Sequence, residues 1–332
     1  MSLALEVKPF VNSEHTGEYV DIQFPLPASI VPEKHKQPRK AAKAADPEPS
    51  QKDEIQAESP APEADPQPEC ETIRLHYMEA GFGEPLLLVH TVGQSIYTWR
   101  SQFQRLSEYY RVIAVDLVGH GYSQRAVDFS YSLEDHVESL RLFLDALNIQ
   151  SAHLAGFSIG GMYTLELVRK YPERCGRVLL INPGGITQEM PLIVRMMDNA
   201  LLGGIASRLF GIKTVRSLLE ESCFDLTVIT DEVVREYYST VCDPAARRAI
   251  QQSIYRYEDE ALLAHLRGIE KPICILYGEE DKWHTAEETK LMRAALPLVT
   301  VQAVRNCGHL LHEEKPDKLI AAILEHIPVV VE

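Results

Sequence analysis

The stretch that decides the fold is Ala155-Gly156-Phe157-Ser158-Ile159-Gly160-Gly161, near the middle of the chain. An apolar run from Ala152 to Ala155 precedes the turn, and a helix-like run from Met162 to Lys170 follows it. Strand, sharp turn with a serine, then helix is the context in which G-x-S-x-G carries chemical meaning. Gly156 and Gly160 have no Cβ, so strand and helix can approach closely around the turn. The turn lifts the Ser158 hydroxyl out of the sheet and aims the free N–H groups of a helix N-terminus at the same spot. Glycine and serine are common, so the pentapeptide gains weight only from an acid and a histidine downstream, in that order.

Working outward, strand and helix patterns alternate. Ile73, Leu75 and Tyr77 alternate as in a half-buried strand, and Leu86 to His90 is a continuous apolar run suited to a buried parallel strand. A helical stretch around Trp99–Tyr109 and a strand over Arg111–Asp116 follow. Leu133, Val137, Leu140, Leu144 and Leu147 repeat at helical spacing, and Asn148 closes that helix. Further strands are expected over Arg177–Asn182, Pro272–Gly278 and Val299–Val304, with helices over Glu287–Leu296 and Asp317–Ile327. This rhythm specifies an α/β fold, a mostly parallel central sheet with helices on both faces. It stops over residues 184–263, where helix-like runs such as Pro191–Asn199 and Asp231–Val241 suggest a helical cap inserted over the sheet's C-terminal edge. The core is then residues 71–183 together with 264–332.

Residues 1–70 read as an N-terminal arm. Val20, Ile22 and Phe24 alternate with polar residues, a strand that could dock on the domain or on a second subunit. Over 31–70 there are prolines at 32, 38, 47, 49, 60, 62, 66 and 68 and no Phe, Tyr or Trp. A segment of that composition cannot bury enough apolar area to offset its ordering entropy, and it reads as a disordered, semi-extended linker.

The chain has 332 residues, 45% of them hydrophobic, and a net charge of −15, which argues against a nucleic-acid groove and for a soluble protein. No run approaches the roughly 18 to 20 apolar residues of a membrane span, and Met1–Lys8 lacks the pattern of a secretory signal. The six cysteines are scattered without C-x-x-C spacing, as expected of reduced thiols in a cytoplasm.

A serine hydroxyl needs a base within hydrogen-bond reach, and the base needs an orienting group. Tyr277-Gly278-Glu279-Glu280-Asp281 follows one predicted strand, and Asn306-Cys307-Gly308-His309 follows another. Both lie where a strand's C-terminal end meets a loop, the place where open α/β sheets hold ligands. The order Ser158, Asp281, His309 is the one this turn type requires. On the residues alone, Glu279 and Glu280 compete with Asp281, and His312 competes with His309; position favours Asp281 and His309. His309, His312 and Glu313 lack H-E-x-x-H order, so neither a metal nor a cofactor is expected.

Together with Leu87–His90 and Asp116-x-x-Gly119-His120-Gly121-x-Ser123, these residues resemble the α/β-hydrolases of the capped branch, from about Glu71 onward. The resemblance implies that Ser158 is the nucleophile, His309 the general base and acid, and Asp281 the group that holds the imidazole. It implies an oxyanion hole from the backbone N–H groups of Ile159 and Val92. Phe157, Trp283 and Leu310 are expected to line the substrate pocket, and His90 and His120 to support loops. Relatives usually carry glycine where this chain has Thr91, so the oxyanion loop is expected either to differ in shape or to gain the Thr91 hydroxyl as a donor. Relatives with the acid after the preceding strand would carry it at Asn182, which cannot ionise.

The activity implied is hydrolysis of a carboxylic ester or lactone through an acyl-serine. The substrate would be a small, apolar acyl compound, since Met190, Leu192, Ile193, Met196, Met197, Leu201, Leu202 and Phe210 give the cap a greasy surface. Three alternatives stand beside it. One is C–C cleavage of ring-fission products, although such enzymes tend to carry Asn where this chain has Phe157. The others are a cofactor-free haloperoxidase or perhydrolase, and a ligand receptor on a hydrolase fold. The sequence leaves a homo-oligomer open.

Overall fold

The computed structural model describes residues 17–26, 70–184, 210–257 and 266–329. Its centre is an eight-stranded sheet in the order β1-β2-β4-β3-β5-β6-β7-β8. The strands are β1 (Glu18–Pro25), β2 (Cys70–Ala80), β3 (Pro85–Val89), β4 (Arg111–Val115), β5 (Ala152–Phe157), β6 (Cys175–Ile181), β7 (Ile273–Gly278) and β8 (Val299–Val304). β1 pairs antiparallel with β2, and β2 with β4; every later pairing is parallel. Among the described residues the α-helices are α1 (Arg100–Leu106), α2 (Leu133–Ala146), α3 (Ile159–Lys170), α4 (Ile212–Ser222), α5 (Asp231–Val241), α6 (Pro244–Tyr255), α7 (Ala286–Ala295), α8 (Leu311–Glu314) and α9 (Pro316–His326).

Successive strand residues point to opposite faces, so each strand serves two cores. Leu87, Val89, Leu154 and Leu180 pack with Val137, Phe143 and Met162 from α2 and α3. Leu88, Ala155, Leu179 and Cys274 pack on the other face with Trp99, Phe103, Leu319 and Ile323. The burial of alternate apolar residues on both sides accounts for the continuous apolar runs in the parallel strands. Asn148 adopts φ 54° just past α2, the left-handed stop anticipated for that helix.

One boundary differs from the sequence reading. Residues 18–25, placed in the arm, are the edge strand of the sheet: Ile22 and Phe24 are buried in the same core as Leu75 and Phe129. The alternation was visible, but its partner, β2, lies across a long insertion. Pro25 and Cys70 face each other in register, so residues 26–69 form an insertion in a β-hairpin. The linker reading of 31–69 falls outside the described residues, apart from Cys70 at the start of β2. So do the expected helix Pro191–Asn199 and every apolar residue named for the cap surface except Phe210. Between β6 and β7 the described residues contribute α4, α5 and α6, whose Val215, Tyr237 and Ile250 line one cavity with Ser158.

Candidate active site

Ser158 sits between β5 and α3 at φ 52°, ψ −125°. Such a backbone costs of order 1–3 kcal/mol and persists only where its surroundings enforce it. The Ser158 N–H donates to the Ile181 carbonyl at 2.9 Å, and the Gly161 N–H donates to the Ser158 carbonyl at 2.9 Å. A Cβ on Gly160 would lie 2.1 Å from the His90 carbonyl oxygen, and one on Gly156 would lie 2.6 Å from the Gly161 Cα. Only glycine lets β5 and α3 meet at this angle.

Ser158, His309 and Asp281 converge. His309 Nε2 lies 3.1 Å from Ser158 Oγ, and His309 Nδ1 lies 2.7 Å from Asp281 Oδ2. The other carboxylate oxygen of Asp281 accepts the Trp283 and His284 N–H groups at 2.7 and 3.0 Å. Burial by itself would raise the Asp281 carboxyl. The charge and hydrogen bond of His309, and the N–H groups of His284 and Trp283, more than offset this and hold it below the usual carboxylate range. The rings of Phe157 and Trp283 flank the His309 imidazole, with centroids 5.0 and 5.1 Å away.

The competing candidates are occupied elsewhere. Glu280 accepts the Cys307 N–H at 2.8 Å, Glu279 faces Arg305 at 3.7 Å, and His312 Nε2 lies 2.5 Å from Thr98 Oγ1. No group of three His, Cys, Asp or Glu suited to a metal occurs among the described residues.

Thr91, Val92, Ser158 and Ile159 share one cavity. Ile159 opens α3, so its N–H has no carbonyl acceptor within the helix. Thr91 is not in the left-handed region; Gly93 is, at φ 80°, and the Gln94 N–H donates back to the Thr91 carbonyl at 3.2 Å. His90 fixes the start of this loop, since its Nδ1 is 2.8 Å from the Thr91 carbonyl and its Nε2 accepts the Leu117 N–H at 3.0 Å. His120 is buried, with Nδ1 3.0 Å from the Val118 carbonyl. Asp116, also buried, accepts the Ile96 and Tyr122 N–H groups and pairs with His76, which orders the adjoining loop.

The cavity measures about 160 Å³. Phe157, Trp283 and Leu310 line it, as do Val215, Leu219 and Ile250 from the inserted helices. Among the described residues no Lys, Arg, Asp or Glu lines it.

Two polar side chains near the site have no counterpart among the residues expected from the sequence. Asn182, set aside there as a residue that cannot ionise, joins the two loops: its Nδ2 donates to the Gly308 and His309 carbonyls at 3.2 and 2.5 Å, and its Oδ1 accepts the Gly278 N–H at 2.8 Å. Glu314 accepts N–H groups from Gly308 at 2.9 Å and from Phe224 and Asp225 at 3.0 and 2.8 Å. Burial pushes its carboxyl above the usual range despite those bonds. The only sequence signal for Asn182 was its place at the end of a strand beside the expected site.

With sheet order, elbow and relay in place, comparison with known proteins gives the class. The family model for the alpha/beta hydrolase fold matches residues 84–316, and the chain belongs to that family. It is 26% identical over 252 residues to 2-hydroxy-6-oxo-2,4-heptadienoate hydrolase of Pseudomonas putida, covering 73% of this chain and 88% of that one. It is 27% identical over 246 residues to 2-hydroxymuconate semialdehyde hydrolase of a Pseudomonas species, covering 71% and 84%. In structure it is similar to a meta-cleavage product hydrolase from Pseudomonas fluorescens, with a TM-score of 0.68, 23% identity, and 76% and 94% of the two chains covered. Among the described residues no helix is long and apolar enough to cross a membrane.

Proposed function

We propose that this protein is a serine hydrolase that cleaves a neutral, largely apolar carboxylic ester or lactone through an acyl-Ser158 intermediate. The observation that carries the reading is the relay of 3.1 and 2.7 Å from Ser158 through His309 to Asp281, opening on an apolar cavity. Ser158 Oγ attacks the carbonyl carbon while His309 Nε2 takes its proton. Asp281, held ionised, stabilises the imidazolium that results. The N–H groups of Ile159 and Val92 receive the developing oxyanion, a contribution of about 3 to 4 kcal/mol for each donor. His309 then protonates the leaving alkoxide, and a water activated by the same imidazole releases the acid.

A cavity near 150 Å³ with an apolar lining accommodates a molecule of benzene's size, so the roughly 160 Å³ here suits a short acyl chain or a single ring. A second reading, C–C bond hydrolysis, is favoured by the names of the sequence relatives. A dienoate would bring a carboxylate into a lining made largely of Phe157, Val215, Leu219, Ile250, Trp283 and Leu310, so the neutral ester is the reading put first.

The test is a panel of p-nitrophenyl esters of increasing acyl length beside a 2-hydroxy-6-oxo-dienoate, with fluorophosphonate labelling mapped by mass spectrometry. Short-ester turnover and label on Ser158, both absent in Ser158→Ala, are expected. Faster turnover of the dienoate than of any ester would transfer the proposal to C–C cleavage.

A further inference from the structure

We propose that Glu314 is the positioning residue that holds His309 in register with Ser158, by tying the His309 loop to the inserted helices. This rests on the reading of Ser158, His309 and Asp281 as the reacting groups. One carboxylate oxygen of Glu314 accepts the Gly308 N–H at 2.9 Å, next to the base. The other accepts the N–H groups of Phe224 and Asp225 at 3.0 and 2.8 Å, just past α4. The end of α4 reaches back as well: the Ser222 carbonyl accepts the His309 N–H at 2.7 Å.

These bonds make a closed frame around one peptide. His309 receives main-chain restraint from Ser222 and, through Gly308, from Glu314, while Asn182 holds the carbonyls of the same two residues. The imidazole therefore sits on a backbone fixed from both sides, and the inserted segment supplies one of them. A carboxylate suits this task because both its oxygens accept, so one side chain serves donors from two segments. Glu314 is itself buried, so water does not stand in readily when a bond is lost.

Glu314→Gln separates positioning from scaffolding. Its single carbonyl oxygen can serve Phe224 and Asp225 and so preserve the tie to the inserted segment. Its NH2 group then faces the Gly308 N–H, donor against donor. Steady-state kinetics on a p-nitrophenyl ester should show kcat down about ten- to a hundredfold, the scale expected of a slightly misplaced catalytic group, with KM within about twofold. The low-field proton NMR signal of the hydrogen bond between His309 Nδ1 and Asp281 should shift or broaden in the same variant, without substrate. Glu314→Asp, one methylene short of spanning both segments, should repeat the kcat loss and gives a second reading if the Gln variant does not fold.

A folded Glu314→Gln enzyme with kcat within twofold and an unmoved His309 signal would overturn the proposal. Full activity in Ser158→Ala would overturn the hydrolase reading instead, and the substrate-free NMR measurement would still decide the role of Glu314.

Discussion

Gly308 and Ser222 are in such close contact that a Cβ on Gly308 would fall 2.6 Å from the Ser222 carbonyl oxygen. The glycine before His309 is thus required by a neighbour from the inserted helices, across the seam between two parts of the chain. Gly308→Ala should therefore displace the His309 loop: kcat on a p-nitrophenyl ester should fall at least about tenfold, while the far-UV circular dichroism stays native. Undiminished kcat would mean that the loop absorbs the methyl group without moving the imidazole.

Asn182 makes a separate prediction. Removing its amide leaves the carbonyls of Gly308 and His309 and the N–H of Gly278 without their partner in a buried setting, at a cost of about 1–3 kcal/mol for each group left unsatisfied. Asn182→Ala should lower the urea midpoint and reduce the rate of fluorophosphonate labelling together. A labelling rate equal to the parent's in a folded variant would show that Asn182 serves stability alone.

The buried histidines set the response to acid. Burial holds His90, His120, His136 and His312 below the ordinary imidazole value, His120 at about 3. In the unfolded chain each would titrate near 6.5. Their folded pKa values are depressed, so the unfolded state binds more protons as pH falls below that value. Stability is full above about 6.5 and is lost progressively below it, by about 2 kcal/mol for His120 alone at pH 5. Urea unfolding at pH 7.5 and 5.0 should show the midpoint falling in acid. His120→Asn, which removes one such site, should flatten the dependence; an unchanged slope would remove His120 from the account.

The hairpin insertion can be cut out. Replacing residues 26–69 by an Asn-Gly turn between Pro25 and Cys70 keeps β1 in register with β2. Closing a loop of that length costs roughly 2–3 kcal/mol more than closing a two-residue turn, so the shortened protein should melt higher and label at Ser158 as before. Removing residues 1–69 altogether should do the opposite, since it strips Ile22 and Phe24 from the core, each contributing about 1.5–3 kcal/mol. Equal melting temperatures for the two truncations would refute the role given to β1.

What was legible in the sequence was local. The elbow, the two strand-end loops and the α2 periodicity each announce themselves within a short stretch of chain, because backbone angle and helical spacing act over that range. Position in the motif favours His309 over His312, and the structure brings His309 to Ser158 while His312 turns to Thr98. Asn182 cannot ionise and so gives no signal as an acid, and the partners that reveal its place lie 96 to 127 residues away and take only hydrogen bonds. Thr91 invited an expectation about the loop's shape that depends on backbone angles several residues along, such as the positive φ of Gly93. The strand β1 showed its alternation and hid its partner, since pairing depends on the register across the insertion.

The hairpin also determines what a nick would do. A cut anywhere within residues 26–69 would leave the strand Glu18–Pro25 with no covalent link to the sheet, retained by its ladder to β2, by the apolar side chains of Val20, Ile22 and Phe24, and by side-chain bonds such as Arg74 to Asp21. The clipped molecule would then be a two-piece protein, and a synthetic peptide bearing that strand could exchange into the vacated edge and carry a label to it.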